Sequence, residues 1–160
     1  MIRPTLEGET GELLAVAAST AAFKPLELEA LLELLGDYHA GNAEGHRAIT
    51  CELDGRVIGF AYYAPTPMTD RTWHLYWLFV SKAIQARGVG GDLMRHVGAD
   101  IATEGGRLLL IETSGLPTYE LTRRFYLKHA CEEVALIRDF YSDGDDLVIF
   151  RKRLAASGLA

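Results

Sequence analysis

The stretch LYWLFVSKAIQARGVGGDLM, residues 75–94, passes from an apolar run through a glycine-rich segment into an amphipathic run. The backbone lacks side chains at three positions where a helix is expected to begin, Gly88, Gly90 and Gly91. The first N–H groups of a helix have no partner inside it, and the helix dipole adds partial positive charge there. The stretch therefore predicts a strand, a turn and a helix start that can bind an anion, because glycine lets a ligand approach the backbone.

Two familiar phosphate-binding motifs do not fit this segment. A Walker A loop ends in Gly-Lys-Ser/Thr, whereas Gly91 is followed by Asp92. The dinucleotide-binding fingerprint needs a third glycine where the chain has Leu93, and it normally follows the first strand of its fold. Lys82 and Arg87 add positive charge to the segment. A glycine-rich turn that holds no ligand is the alternative to a different kind of anion site.

Length and charge limit the class of protein. The chain of 160 residues suits one domain over residues 1–160, because each of two halves would have a marginal core. The net charge of −6 argues against a nucleic-acid binder with a broad basic face and mildly favours cationic substrates. The N-terminus lacks the apolar region of a signal peptide, and no apolar stretch reaches the roughly 18 residues of a membrane span. We therefore expect a cytoplasmic protein with no nucleic-acid or membrane partner, with Cys51 and Cys131 as buried thiols.

The first third of the chain predicts a short strand, two helices and a hairpin. The strand is expected around Ile2–Leu6, and the helices are expected to begin near Thr10 and near Pro25. Gly36 is the expected C-terminal cap of the second helix. Asp54-Gly55 between two strand-like runs is a strong hairpin signal.

The rest of the chain completes a mixed sheet. TWHLYWLFV, residues 72–80, has the apolar character of a central strand, and a helix is expected at residues 88–104. A strand, a helix and two final strands follow. The predicted order is one strand, two helices, three strands, then helix, strand, helix and two strands. That order indicates the α+β class, with helices on both faces of the sheet.

The opening stretch resembles motif A of the GNAT family of N-acetyltransferases. The family's signature Gln/Arg-x-x-Gly-x-Gly/Ala reads Gln85-Ala86-Arg87-Gly88-Val89-Gly90 here. RRFYLKHACEE, residues 123–133, resembles the second signature, with Phe125-Tyr126 in a helix and Ala130-Cys131 in the place of a Gly-Phe pair. The order of elements also matches, so the resemblance covers nearly the whole chain. It implies the GNAT-type acyl-CoA N-acyltransferase fold, with a mixed, mostly antiparallel sheet.

The resemblance implies acetyl-CoA as cosubstrate and no metal. Backbone N–H groups of residues 85–90 are expected to hold the diphosphate. The strand before them, at Phe79 and Val80, is expected to bond the pantetheine arm or the thioester carbonyl. The residues expected to bind the cofactor are Leu78, Phe79, Val80, Gln85, Ala86, Arg87, Gly88, Val89, Gly90 and Gly91.

Transfer of an acetyl group from a thioester to an amine needs a base, an oxyanion donor and a proton for the leaving thiolate. An alkylamine has a pKa of roughly 10, so it is mostly protonated at neutral pH. The resemblance places Tyr126 as the acid that protonates the thiolate. His74 and Glu112 are the candidate bases, with a water chain as the alternative. Trp73 and Tyr76 are the candidates for the acceptor pocket, since such pockets are largely apolar.

These residues together predict an acetyl-CoA-dependent N-acetyltransferase that works by direct attack in a ternary complex. The expected acceptor is a primary amine of a small molecule. A protein N-terminus or lysine as acceptor is one alternative, and a non-catalytic acyl-CoA-binding module is another. Dimers are common in the family, so a homodimer through the C-terminal strand LVIFRKRL, residues 147–154, is a further expectation.

Overall fold

The computed structural model describes residues 1–85 and 87–154. The helices in these residues are α1 (Thr10–Ser19), α2 (Pro25–His39), α3 (Val89–Thr103) and α4 (Glu120–Lys128). The strands are β1 (Ile2–Pro4), β2 (Arg47–Leu53), β3 (Arg56–Pro65), β4 (Thr72–Val80), β5 (Leu108–Ser114), β6 (Glu132–Ser142) and β7 (Asp145–Arg153). They follow one another in the predicted order. None of the helices in residues 1–85 and 87–154 has the length and apolar character of a membrane span.

The strands form a seven-stranded sheet in the order β1-β2-β3-β4-β5-β7-β6. β1 with β2, β2 with β3, β5 with β7 and β6 with β7 are antiparallel pairs, whereas β4 and β5 are parallel. The mixed, mostly antiparallel sheet of an α+β fold is therefore confirmed.

The chain forms two compact units. The first comprises Met1–Ala64 and Trp77–Val97, and the second comprises Pro65–Tyr76 and the chain from Gly98 onward. β4 and α3 each contribute residues to both units. The expectation of a single domain over residues 1–160 stays a prediction.

In the first unit, α1 and α2 pack their apolar faces on strands. The buried cluster contains Leu13, Ala17, Leu31, Leu35, Ala48, Val57, Phe60, Tyr62 and Phe79. Leu31 and Leu35 lie one turn apart on α2 and are fully buried, as their spacing predicts, whereas Leu32 is half exposed.

α2 extends past the residue predicted to cap it. The helix continues to His39, and the N–H of Ala40 donates to the carbonyl of Gly36 at 3.0 Å. A glycine ends a helix where the backbone turns into the left-handed region, and here that turn belongs to Gly41, with φ of 79°. The predicted cap at Gly36 is therefore wrong.

The β2–β3 hairpin turns at the predicted dipeptide. Leu53 pairs with Arg56, which leaves Asp54 and Gly55 as the two turn residues. Their φ angles are 51° and 76°. Two consecutive positive φ angles are typical of a type I′ turn, so the hairpin signal is confirmed.

In the second unit, a parallel ladder joins β4 and β5 over Thr72–Leu75 and Leu108–Ile111. β7 pairs with β5 on one side and with β6 on the other. Both backbone edges of β7 are therefore used within the chain. β6, not β7, is the last strand in the order. The participation of residues 147–154 in a homodimer stays a prediction.

α4 ends in a Schellman motif. The N–H of Cys131 donates to the carbonyl of Tyr126 at 3.0 Å, and the N–H of Ala130 donates to that of Leu127 at 3.3 Å. Ala130 has φ of 63°. This position favours glycine, which explains in physical terms why the second signature has a glycine where this chain has alanine.

Candidate active site

The glycine-rich segment belongs to the first unit, between β4 and α3. The N–H of Ser81 donates to the carbonyl of Ile58 at 2.7 Å and ties the start of the segment to β3. The side-chain amide of Gln85 donates to the carbonyl of Val80 at 3.1 Å. Gly88 has φ of 81°, a conformation that glycine adopts without steric cost. The segment is therefore shaped by its own backbone and by contacts with strands of the same unit.

The start of α3 leaves several N–H groups without a partner inside the helix. Among the bonds between described residues, the first N–H that donates one turn back is that of Asp92, to the carbonyl of Gly88 at 3.0 Å. The N–H groups that precede it are those of Val89, Gly90 and Gly91. The dipole of this helix of 15 residues adds partial positive charge, and Lys82 and Arg87 are exposed in the segment. This arrangement can bind a phosphate or diphosphate.

Gly59 of β3 lets the start of α3 approach the sheet closely. A Cβ atom at this position would lie 3.1 Å from Cδ1 of Leu93, and 3.4 Å from both Cγ1 of Val89 and the carbonyl oxygen of Phe79. Any larger residue would press on the first turn of α3 and the end of β4. We did not single out Gly59 from the sequence, although a glycine inside an apolar strand is a known sign of close backbone approach.

The residues predicted to bind the cofactor lie on β4, on the connecting segment and in the first turn of α3. Those described by the structure, all in the first unit, are Leu78, Phe79, Val80, Gln85, Arg87, Gly88, Val89, Gly90 and Gly91. Ala86 lies outside the described residues. The ring of Phe79 packs against Phe60 and Phe23, with centroids 5.2 and 5.8 Å away. Its side chain is therefore part of the core, which leaves its backbone for any ligand.

The second unit brings His74, Tyr76 and Glu112 together. His74 and Tyr76 share one face of β4, and their rings stack with centroids 5.4 Å apart and planes at 23°. The ladder places His74 beside Leu110, two residues before Glu112 on β5. Nε2 of His74 lies 3.7 Å from Oε1 of Glu112. Both candidate bases and one predicted acceptor residue therefore meet on one face.

Thr66 fixes the ring of His74 from the other side. Its Oγ1 lies 2.8 Å from Nδ1 of His74, and its backbone N–H donates to the carbonyl of Thr72 at 2.7 Å. With Nδ1 held by the hydroxyl, Nε2 is the nitrogen that faces Glu112. We missed Thr66 from the sequence because nothing in the pattern links it to His74 before the fold is known.

Exposure separates the members of this cluster. The side chain of His74 is 17% exposed, whereas that of Glu112 is 44% exposed and open to a cation from solvent. Partial burial and the charge of Glu112 raise the pKa of Tyr76, so its phenol stays neutral. Tyr76 is 49% exposed, and the cluster can attract a cationic group and move a proton.

Trp73 lies on the opposite face of β4 from its neighbour His74. It is buried, and a Cβ at Gly106 would lie 3.1 Å from Cδ1 of its ring. The same Cβ would meet the side chain of Ile101. Of the two predicted acceptor residues, Tyr76 is therefore exposed beside the candidate bases and Trp73 is packed in the core.

Tyr126 is buried on α4 in the second unit. Its ring lies 5.4 Å from that of Phe125 and 5.6 Å from that of Phe150. Burial, with a smaller contribution from Cys131, raises the pKa of its phenol well above the usual value. The phenol therefore keeps its proton at physiological pH, as a proton donor must.

Arg123 anchors α4 one turn before Tyr126. Its Nη1 donates to the carbonyl of Ser114 at 2.8 Å and to that of Leu116 at 2.9 Å. These bonds hold α4 to the end of β5. We did not identify this role from the sequence, because an arginine in a helix is most often a solvated residue.

Comparisons with known proteins identify the family of this chain. A family model described as an acetyltransferase (GNAT) domain matches residues 44–129, more than half of the chain. The chain is 29% identical over 105 residues to an uncharacterized N-acetyltransferase of Methanocaldococcus jannaschii, a match that covers 64% of this chain and 63% of that protein. The chain thus spans less than two thirds of that relative's length.

Solved structures are similar over nearly the whole chain. One from Desulfovibrio desulfuricans, assigned to the GNAT family of acetyltransferases, has 35% identity and a TM-score of 0.92, and the match covers 97% of this chain and 99% of that one. An aminoglycoside 6′-N-acetyltransferase complexed with coenzyme A has 14% identity and a TM-score of 0.76, with 99% of each chain covered, and shows the shared fold. The family model and the Desulfovibrio structure show that the chain belongs to the GNAT family of N-acetyltransferases.

Proposed function

We propose that the protein is an acetyl-CoA-dependent N-acetyltransferase. The observation that carries this proposal is the start of α3, where three N–H groups precede the first helical hydrogen bond behind a left-handed glycine. A diphosphate matches such a group of donors in charge and shape. The coenzyme A bound to the aminoglycoside acetyltransferase of the same fold supports the choice of ligand.

Acetyl-CoA supplies an acyl carbon activated as a thioester. The backbone of residues 85–91 would hold its diphosphate, with Arg87 adding charge. The backbone of Phe79 and Val80 would bond the pantetheine arm or the thioester oxygen, where an N–H donor would stabilise the developing negative charge. Tyr126 holds a phenolic proton for the leaving thiolate.

The proposed base is His74, with Glu112 as its partner. Glu112 is exposed and attracts the protonated amine, while His74 accepts a proton at Nε2 after the ring is fixed by Thr66. The carboxylate 3.7 Å away stabilises the imidazolium that forms. Proton transfer from the amine to Glu112, or to a water chain, is the alternative.

The proposed acceptor is a primary amine of a small molecule that attacks directly in a ternary complex. The net charge of −6 and the exposed carboxylate of Glu112 favour a cationic acceptor. Tyr76 rather than Trp73 is the proposed contact, because only Tyr76 is exposed beside the candidate bases. A peptide amine is the alternative acceptor, since the fold does not determine the substrate.

We also propose that residues 1–160 form one GNAT domain that associates as a homodimer. The family match at residues 44–129 includes parts of both compact units, which supports a single domain. The cytoplasmic location expected from the sequence stays a prediction.

The test of cofactor binding is calorimetry with acetyl-CoA on the wild type, Gly88→Ala and Gly55→Ala. Gly88 and Gly55 have φ of 81° and 76°, and a Cβ at either would meet no atom of the described residues within 4 Å. Both variants carry the same backbone strain, about 1 to 2 kcal/mol. Only Gly88→Ala should weaken acetyl-CoA binding, by at least about tenfold. Equal affinities in the two variants, or no heat from the wild type, would contradict the proposal.

The test of catalysis is release of the CoA thiol with a panel of small amines and peptides. Tyr126→Phe should keep acetyl-CoA binding and lose turnover if the protein is an enzyme. Tight acetyl-CoA binding without turnover on any amine would favour a non-catalytic acyl-CoA-binding module instead.

A further inference from the structure

The turn at the end of β5 consists of Ser114, Gly115 and Leu116 and is called here the β5–α4 turn. The N–H of Gly115 donates to the carbonyl of Asp146 at 2.8 Å, and the N–H of Leu116 donates to Oγ of Ser114 at 3.0 Å. The carbonyl groups of Ser114 and Leu116 both accept from Nη1 of Arg123. The turn is therefore held by β7 on one side and by α4 on the other.

Asp145, the first residue of β7, contacts this turn through a buried carboxylate. The hydroxyl of Ser114 donates to that carboxylate, and both side chains are buried. Because the same hydroxyl accepts the N–H of Leu116, two hydrogen bonds in series join the backbone of the turn to Asp145. A charged acceptor at the end of such a series strengthens each bond in it. A carboxylate at this depth costs free energy unless its hydrogen bonds offset that cost, so Asp145 and the turn depend on each other.

α4 depends on the β5–α4 turn for its orientation, because the helix buries little of its own surface. Of its nine residues, all of which the structure describes, only Tyr126 is buried. Leu121 and Leu127 are 78% and 56% exposed. A helix this short is held mainly by tertiary contacts, and one buried side chain leaves it free to rotate about its axis. Arg123 lies one turn before Tyr126 on the same face, so its two bonds to the turn fix that rotation.

We propose that Arg123 and Asp145 are positioning residues of the acetyl transfer, which act through the β5–α4 turn on the phenol of Tyr126. This inference rests on the proposed role of Tyr126 as the acid that protonates the leaving thiolate. A general acid must lie within hydrogen-bond reach of the atom that it protonates, so a small rotation of α4 removes the donor from the reaction. Glu112 lies two residues before Ser114 on β5, so the same bonds join α4 to the strand that carries Glu112.

The first test compares two neighbouring arginines of α4. Arg123→Met removes both bonds to the turn and keeps the apolar stem of the side chain. It should lower kcat for release of the CoA thiol about tenfold and leave KM for acetyl-CoA within about twofold of the wild type. Arg123→Lys should recover kcat to within about threefold of the wild type, because one ammonium can donate to both carbonyl groups, as the single Nη1 does. Arg124→Met is the control, since the side chain of Arg124 is 70% exposed and pairs with Glu120 of the same helix.

The same comparison is made on the side of β7. Asp145→Ala removes the acceptor of the Ser114 hydroxyl and should also lower kcat about tenfold, whereas Asp145→Asn keeps an acceptor oxygen and should retain most of the activity. Asp143→Ala is the control, because Asp143 is exposed in the turn between β6 and β7. If Asp145→Ala does not fold, Asp145→Asn and Arg123→Met still decide the question.

A double-mutant cycle separates positioning from a loss of stability. Single-turnover rates are measured for Arg123→Met, for Tyr126→Phe and for the double variant. If Arg123 acts through the phenol, Arg123→Met should lower the residual rate of Tyr126→Phe less than about twofold. A loss of stability alone would lower the rate by the same factor in both backgrounds. Equal tenfold losses in the two backgrounds would therefore overturn the inference.

Fluorine NMR of protein that carries fluorotyrosine provides a measurement that needs no turnover. The signal of Tyr126 is identified by its absence from Tyr126→Phe. It should move in Arg123→Met and in Asp145→Ala, because the surroundings of the ring change when α4 rotates, and it should stay in place in Arg124→Met and return in Arg123→Lys. A signal at the same position in all these variants overturns the inference. A wild type that releases no thiol with any amine contradicts the proposed function, and the NMR measurement then decides by itself whether the turn orients Tyr126.

Discussion

The glycine-rich segment before α3 and the His74–Glu112 cluster depend on different parts of the polypeptide. The segment offers backbone N–H groups whose positions follow from local conformation, with Gly88 in the left-handed region. The cluster offers side chains brought together by the β4–β5 register and by Thr66, eight residues before His74. The glycine-rich segment can therefore be recognised in the linear sequence, whereas the His74–Glu112 cluster exists only after the strands have paired.

The largest effect should come from His74. His74→Ala should lower kcat about 100-fold and leave the affinity for acetyl-CoA unchanged, because the proton acceptor is lost while the glycine-rich segment is intact. His96→Ala is the control, since His96 is exposed on α3. Steady-state kinetics and calorimetry measure the two quantities. If kcat survives in His74→Ala but falls in Glu112→Gln, the carboxylate is the base.

Thr66 tests the side-chain cluster further, because it acts on catalysis by holding the ring of His74. Thr66→Val removes the hydroxyl that lies 2.8 Å from Nδ1 of His74 and should lower kcat about tenfold with little change in KM for acetyl-CoA. Thr66→Ser keeps the hydroxyl and should restore most of the activity. If serine and valine variants lose kcat equally, the threonine methyl group rather than the hydrogen bond is what matters.

A substitution at Gly59 of β3 tests whether the glycine-rich segment depends on close packing of α3 against the sheet. Gly59→Ala should cost about 1 to 2 kcal/mol of unfolding free energy and weaken acetyl-CoA binding a few-fold, because the added Cβ would lie 3.1 Å from Leu93 and displace the start of α3. Gly98→Ala is the matched control on α3, where the nearest atom to the Cβ would be 4.0 Å away. That variant should instead gain up to about 1 kcal/mol from helix propensity. Thermal and urea unfolding measure the unfolding free energies of both variants. Equal changes in Gly59→Ala and Gly98→Ala would contradict the close approach at Gly59.

The smallest effect concerns the end of α4. Ala130→Gly should raise the unfolding free energy by about 0.5 to 1 kcal/mol, because Ala130 has φ of 63° at the left-handed position of the Schellman motif. Ala99→Gly, at an exposed position inside α3, should lower it by about 1 kcal/mol. If Ala130→Gly and Ala99→Gly lowered the unfolding free energy equally, the backbone at residue 130 would not be held in the left-handed region.

Errors of the sequence analysis follow the same division between local and non-local features. The hairpin at Asp54-Gly55 and the glycine-rich segment were predicted correctly in conformation, because short runs of residues determine them. Gly36 was wrongly assigned as a cap, since its neighbours continue the helix to His39. The position of β7 between β5 and β6 could not be predicted, because strand order depends on residues far apart in the chain.

Parts of the candidate site could not be predicted in principle from one sequence. The sequence identified His74, Tyr76 and Glu112 as separate candidates, but their meeting depends on the parallel register of β4 with β5. Neither the contact of Thr66 with His74 nor the anchor formed by Arg123 leaves a pattern in the sequence. These contacts are set by packing, which no periodicity records.

By itself the sequence determined the order of helices and strands, the hairpin at Asp54-Gly55 and a glycine-rich helix start, because each follows from preferences of a few adjacent residues. The resemblance of residues 85–90 to motif A, together with the Phe125-Tyr126 pair and the order of elements, indicated the family. The tertiary structure alone decided which side chains surround His74, which face of β4 carries Trp73, and which strand lies at the end of the sheet. Those outcomes depend on contacts between residues distant in the chain, and their energies are fixed only when the whole sheet has formed.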